Sequence, residues 1–267
     1  MARDIITNEQ WKRLRPLLPP QKPKTGRPAK NHRVVVNGIL WLMRTGAPWR
    51  DLPTEYGPWQ TVASRFYRWR RAGVWEHILQ TLQQQTDANG QIDWEKHYLD
   101  STVIRAHQHA SGAKRRGRDE ALGRSQGGIG TKVHLRAEGG GKPMVFVLTA
   151  GQRHEQVDFW ELMEEGEVKR PGRGRPKSRP KRVVADKAYN SGKVRRYLRQ
   201  RHIGIVIPRQ RHERQREELD GHLYLERNRG ERMINRLKQF RRVATRYEKQ
   251  TANYLAILTL AAIVIWL

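Results

Sequence analysis

The chain has 267 residues, with 53 Lys and Arg against 26 Asp and Glu, a formal net charge of +27. That excess favours a polyanionic partner and argues against a protein acting alone on small neutral metabolites. With no cysteine there can be no disulfide framework, thiol nucleophile, iron–sulfur cluster or Cys-ligated zinc, yet 37% hydrophobic residues and nine Trp suffice for a core.

Taken in chain order, Thr7 caps a first predicted helix that carries Trp11, Leu14 and Leu18 at i, i+3 and i+7 and ends at Pro19-Pro20. Residues 21–31 form a basic, Pro- and Gly-bearing connector. A second helix runs over 32–44 and is stopped by Thr45–Pro48; a turn follows at Asp51. A third helix covers 59–73 and a fourth 74–85. Short helices, tight turns and a basic third helix fit a small all-helical domain of helix-turn-helix type over 1–88, facing DNA. Trp11, Trp41, Trp49, Trp59, Trp69 and Trp75 are expected to fill its core. Arg65, Arg68, Arg70 and Arg71 offer phosphate contacts, the alternative being a solvated face.

Residues 87–91 read as a linker, after which the pattern changes. Strand-like runs appear at 97–104, 131–137, 143–149, 181–189 and 204–208, with helical patterns at 154–165, 191–201 and 224–240. This predicts an α/β domain over 92–267 with a mixed sheet of about five strands. Residues 107–128 read as a loop. Residues 167–182 are the most basic run, and Arg173 and Arg175 at its centre suit either an arm for an A·T-rich minor groove or a solvated loop. The start, Met1 to Trp11, lacks the apolar stretch of a signal peptide. The apolar run Tyr254–Leu267 is short of the about 20 residues of a membrane span, so it is expected as a buried helix of a cytoplasmic, nucleoid-associated protein.

Several motifs carry little chemistry. GRSQGGIGTK at 123–132 fails the spacing of a phosphate loop and opens a strand. His107 and His109 lack a third ligand and read as a surface pair; His154 reads as a helix-cap residue. The acids say more, because they are scarce. Asp100 sits inside an apolar strand and Asp186 at the end of VVAD, where a carboxylate needs a cationic side chain or a bound cation. In a continuous helix, Tyr224, Arg227, Glu231 and Lys238 fall within about 60° of one another, opposite Met233, Leu237 and Phe240. Three carboxylates on two strands and a helix suit Mg²⁺, with two ions able to serve the attacking and leaving oxygens of a phosphodiester.

These motifs resemble the DDE transposases of bacterial insertion sequences. Tyr224, Arg227, Glu231 and Lys238 match the family's Y-R-E-K signature, Asp100-Ser-Thr and Ala185-Asp186-Lys-Ala-Tyr its two aspartate motifs. The GRP, GxPWRDLP and Arg-rich helix of the first 75 residues are similar to its repeat-binding region. Only 44 residues lie between Asp186 and Glu231, so the large insertion of some relatives is absent. The resemblance implies an RNase H-like sheet flanked by helices, with the C-terminal helix packed on it. It implies Asp100, Asp186 and Glu231 as catalytic metal ligands for Mg²⁺, with Mn²⁺ as a substitute, and Tyr224, Arg227 and Lys238 near the DNA backbone. The expected function is binding of terminal inverted repeats, then metal-dependent strand cleavage and transfer into target DNA, by a homodimer or larger assembly on DNA with no membrane partner. The rivals are an inactive DNA-binding repressor and an RNase H-like nuclease or resolvase.

Overall fold

The computed structural model describes residues 6–21, 31–111, 120–125, 127–170, 172, 174–210 and 220–267. Its elements in order are helices α1 (Asn8–Leu14), α2 (His32–Thr45), α3 (Trp59–Arg71) and α4 (Val74–Ala88), strand β1 (Lys96–Ala106), and the short helix α5 (Gln108–Ser111). Strands β2 (Gly123–Ser125), β3 (Gly128–Ala137) and β4 (Pro143–Ala150) precede α6 (Phe159–Glu165), β5 (Arg182–Ala185), α7 (Gly192–Gln200) and β6 (Gly204–Val206). Helices α8 (Gly221–Leu225), α9 (Asn228–Lys238), α10 (Arg241–Ala244) and α11 (Thr251–Trp266) follow.

The chain forms two compact units. One, helical, takes in the described residues of 6–82, 107–111 and 237–267. Thr7 caps α1 in a capping box with Gln10, and Gly46, at φ 75°, closes α2 in the left-handed region that suits glycine. Trp69 and Trp75 are buried, whereas Trp11, Trp41, Trp49 and Trp59 are half-buried. The fate of α3's arginines follows from its phase. Val62, Arg65, Phe66 and Trp69 lie at i, i+3, i+4 and i+7, and all four are buried. Arg65 therefore turns inward, bonded to His32 Nδ1 at 3.3 Å and stacked over Trp69, which corrects its expected place at a DNA surface. Arg68 and Arg71 are exposed and Arg70 half-buried.

The C-terminal apolar run forms α11, buried nearly all round as expected. Within the helical unit it packs on α3 and α10. Tyr254 donates to the Val243 carbonyl at 2.7 Å and Arg13 to the Leu267 carbonyl at 2.7 Å. The compact units thus divide the chain elsewhere than at a single boundary near residue 90.

The second unit takes in the described residues of 83–106 and 120–236. Its strands run in the order β2-β3-β1-β5-β6, with β4 also paired to β3. β1, β3 and β4 are antiparallel neighbours, while β1, β5 and β6 run parallel. Strand alternation divides β1 between two layers. Leu99 joins Val183 and Ala185 against Phe159, Leu162, Val194 and Leu198 of α6 and α7; Tyr98 joins Val184 and Val206 against Leu223 and Tyr224 of α8. Two expectations change here. Residues 123–125, expected in a loop, form β2 in a hairpin with β3, and Asp87 and Ala88, expected in a linker, end α4.

Candidate active site

The register of the parallel strands brings two acids together. Leu99 of β1 lies beside Ala185 of β5, the last residues of that pairing, so Asp100 and Asp186 follow side by side. Beyond this point β1 continues against β3 while β5 stops at Ala185, so both acids stand at the carboxyl end of β5, the place where parallel sheets present ligand-binding groups. Asp186 Oδ1 accepts from the Ala188 N–H at 3.1 Å and caps the 3₁₀ turn Lys187–Tyr189. Asp100 Oδ1 accepts from the Ser101 N–H at 2.8 Å. The described ion pairs of this unit involve neither carboxylate.

The third acid arrives on α9. A Cβ built on Gly230 would lie 3.5 Å from Tyr98 Cβ and 3.7 Å from Asp100 Cβ, so the helix rests on β1 through a residue without a side chain. Glu231 is next in sequence. Its carboxylate takes a hydrogen bond from Arg227 Nη2, and the Arg227 guanidinium lies 5.8 Å from the centre of the Tyr224 ring. Tyr224, Arg227 and Glu231 are thus linked, though not along one helix. α8 stops at Leu225 and Glu226 caps it, so the continuous phase expected over 224–240 is broken. The Glu226 carboxylate is engaged away from the acids, pairing with Lys96 at 2.6 Å and accepting from the Tyr98 hydroxyl at 3.2 Å.

Burial pushes the Asp100 carboxyl up to about 6. Glu231 and Asp186 push the same way, while the Ser101 N–H and Arg227 oppose them. Burial alone would lower the Arg227 guanidinium, but Glu231, Tyr224 and Asp100 outweigh it and hold it above its ordinary value. Among the described residues no three acidic or histidine side chains are gathered at metal-ligand spacing. The donor set nonetheless fits a hard cation: three carboxylates, one of them destabilised as an anion first by burial and then by its two acidic neighbours.

The remaining expected residues fall as follows. Lys238 is the last residue of α9 and half-buried. Arg175 is exposed, and Arg173 lies outside the described residues. His107 and His109 stack with ring centres 4.5 Å apart, and His154 caps the turn that leads into α6. Gly230 was not anticipated. Its signal was present, since an isolated glycine inside a helical pattern points to a close packing approach.

The family described as “Transposase DDE domain” matches residues 98–267, and that described as “Putative transposase of IS4/5 family” matches residues 6–79. The chain is 40% identical over 113 residues to the uncharacterized protein y4sN of Sinorhizobium fredii, across 42% of this chain and 85% of that protein. It is 40% identical over 112 residues to the uncharacterized 16.2 kDa protein of insertion element IS402 of Burkholderia cepacia, across 40% of this chain and 76% of that protein. A third relative, named as the putative transposase for IS402 of the same organism, is 34% identical over 84 residues, across 32% of this chain and 40% of that protein. No solved structure matches.

Proposed function

The chain belongs to the DDE transposase family of insertion sequences, and from that premise we propose that it binds the terminal inverted repeats of its element and cuts and rejoins DNA at their ends. The observation that carries this is the pairing of Asp100 with Asp186 at the end of β5, with the Glu231 helix seated on Asp100 through Gly230. The proposed catalytic domain covers 92–267. Three antiparallel strands followed by two parallel ones, in the order β4-β3-β1-β5-β6, support an RNase H-like fold for it. The proposed end-binding domain covers 1–88, where the exposed Arg68 and Arg71 of α3 suit phosphate contact in a helix-turn-helix arrangement.

Asp100, Asp186 and Glu231 would hold Mg²⁺, which when bound activates the attacking oxygen and stabilises the leaving one. Arg227 neutralises Glu231 in the resting site, and its guanidinium can pass to a DNA phosphate when the carboxylate takes up a cation. Lys238 and Tyr224 flank the same strand, the first by charge and the second by its ring. Holding two ends at once calls for a dimer or larger assembly on DNA, in the cytoplasm beside the nucleoid.

The test compares two carboxylates from the same stretch of chain. Glu231→Gln should lower Mg²⁺-dependent nicking of end-containing duplex by orders of magnitude. Glu226→Gln, which loosens the Lys96, Tyr98 and Arg229 contacts, should leave nicking within a fewfold of the unsubstituted protein. The reverse pattern would refute the assignment.

A further inference from the structure

The acid cluster and the core use only two sides of α9. Met233, Ile234 and Leu237 are buried, and Glu231 and Lys238 share a second stripe. At 100° per residue a third row holds Asn228, Arg232 and Asn235 within about 60° of one another, next to the Glu231 stripe. All three are exposed. The row contains no acid and no lysine in a chain that has 53 Lys and Arg in all, so general phosphate attraction does not account for its composition.

The chemistry of the row is that of base recognition. Asn pairs bidentately with the N6 and N7 edge of adenine and Arg with the O6 and N7 edge of guanine. From Asn228 to Asn235 the helix rises about 10.5 Å, close to three base-pair steps of about 3.4 Å. A helix of about 10–12 Å across enters a major groove about 12 Å wide. The row is also held in place. Gly230 seats the helix on Tyr98 and Asp100, and Arg229 Nη1 donates to the Gly139 carbonyl at 2.8 Å.

Resting on the transposase reading of the same site, we infer that Asn228, Arg232 and Asn235 read about three base pairs beside the bond that is cut, through the major groove. The catalytic helix would then select sequence as well as supply an acid. End recognition would be checked at the point of chemistry, in addition to any selection by α3.

The experiment uses the full chain with Mg²⁺ and duplexes carrying the element's end, either native or with three base pairs swapped on each side of the cut in turn. The unsubstituted protein should nick the native duplex on the order of tenfold faster for each swapped pair that the row contacts. Arg232→Lys keeps the charge and loses the planar fork, so it should bring the native-to-swapped ratio at one position close to one. Asn235→Ala should do so at a neighbouring position. Arg196→Lys, at an exposed position of α7 outside the row, should keep the full ratio. Equal losses on native and swapped duplex from Arg232→Lys would overturn the inference and leave the cleavage reading standing. No Mg²⁺-dependent nicking by the unsubstituted protein would overturn both.

Discussion

The two faces of β1 treat buried charge in opposite ways. On the α6 side, Arg136 of β3 lies opposite Leu99 and is fully buried. It donates to His97 Nδ1 at 2.9 Å and to the carbonyls of Leu162, Met163 and Ser178. Burial lowers its pKa only to about 10, so it remains a cation, solvated by protein. On the α9 side, Asp100 has one backbone N–H and the Arg227 charge against burial and two acidic neighbours, and its carboxyl still stands raised to about 6. Burial of charge is therefore a poor marker of chemistry by itself; what separates the two faces is whether the burial is compensated. Arg136 is, and it belongs to the scaffold. Asp100 is only partly so, and it belongs to the candidate site.

The sharpest way to break that contrast is Asp100→Asn. It should abolish Mg²⁺-dependent nicking, a loss of orders of magnitude, while slightly raising the melting temperature measured with a chelator, because the amide removes the repulsion. A lower melting temperature would show that the carboxylate is compensated after all. Arg136→Met should do the reverse. It orphans several buried acceptors and should cost about 3–5 kcal/mol in denaturant unfolding. The folded fraction should still nick DNA. A change below about 1 kcal/mol would show that the guanidinium is dispensable.

Titration gives a finer comparison. Burial, and then Arg136, hold His97 well below its ordinary value of about 6.5. Below that pH the unfolded chain binds a proton that the folded one refuses, so stability present above about 6.5 is lost as pH falls, at up to about 1.4 kcal/mol per unit. Asp100 acts in the opposite sense, since a carboxyl raised to about 6 gains stability as pH falls. The measurement therefore belongs in the Asp100→Asn background, where urea midpoints should drop below pH 6.5 and His97→Gln should flatten the curve. A flat curve with His97 intact would refute the assignment. The smallest effect belongs to Arg175, which is exposed. Arg175→Ala should weaken end binding a fewfold and reduce the salt slope by about one, with nicking at saturating protein unchanged. A loss of nicking at saturation would place Arg175 in the chemistry.

Much of this was legible in residue order, because the informative patterns are local. Alternation in HYLDSTVI placed Asp100 on a strand, and VVAD ended another at Asp186. Tertiary matters were less legible. The break between α8 and α9 leaves no Gly or Pro at 226–227 to announce it. Arg65 was readable and misjudged: its spacing from Val62, Phe66 and Trp69 is that of a core position, and charge alone pointed outward. The destination of α11 could not be read. A helix apolar on all sides announces burial without naming what buries it.

That destination bears on biosynthesis. The helical unit needs residues 237–267 to complete its core, and these leave the ribosome some 155 residues after Leu82. At about 5–20 residues per second the delay is about 8–30 s. During it, α3 lacks the helix α11 that will cover it, and an unfinished chain has an incomplete helical unit. A prematurely terminated product is disarmed twice. Without α9 it has no Glu231, and without α11 it has no finished helical core.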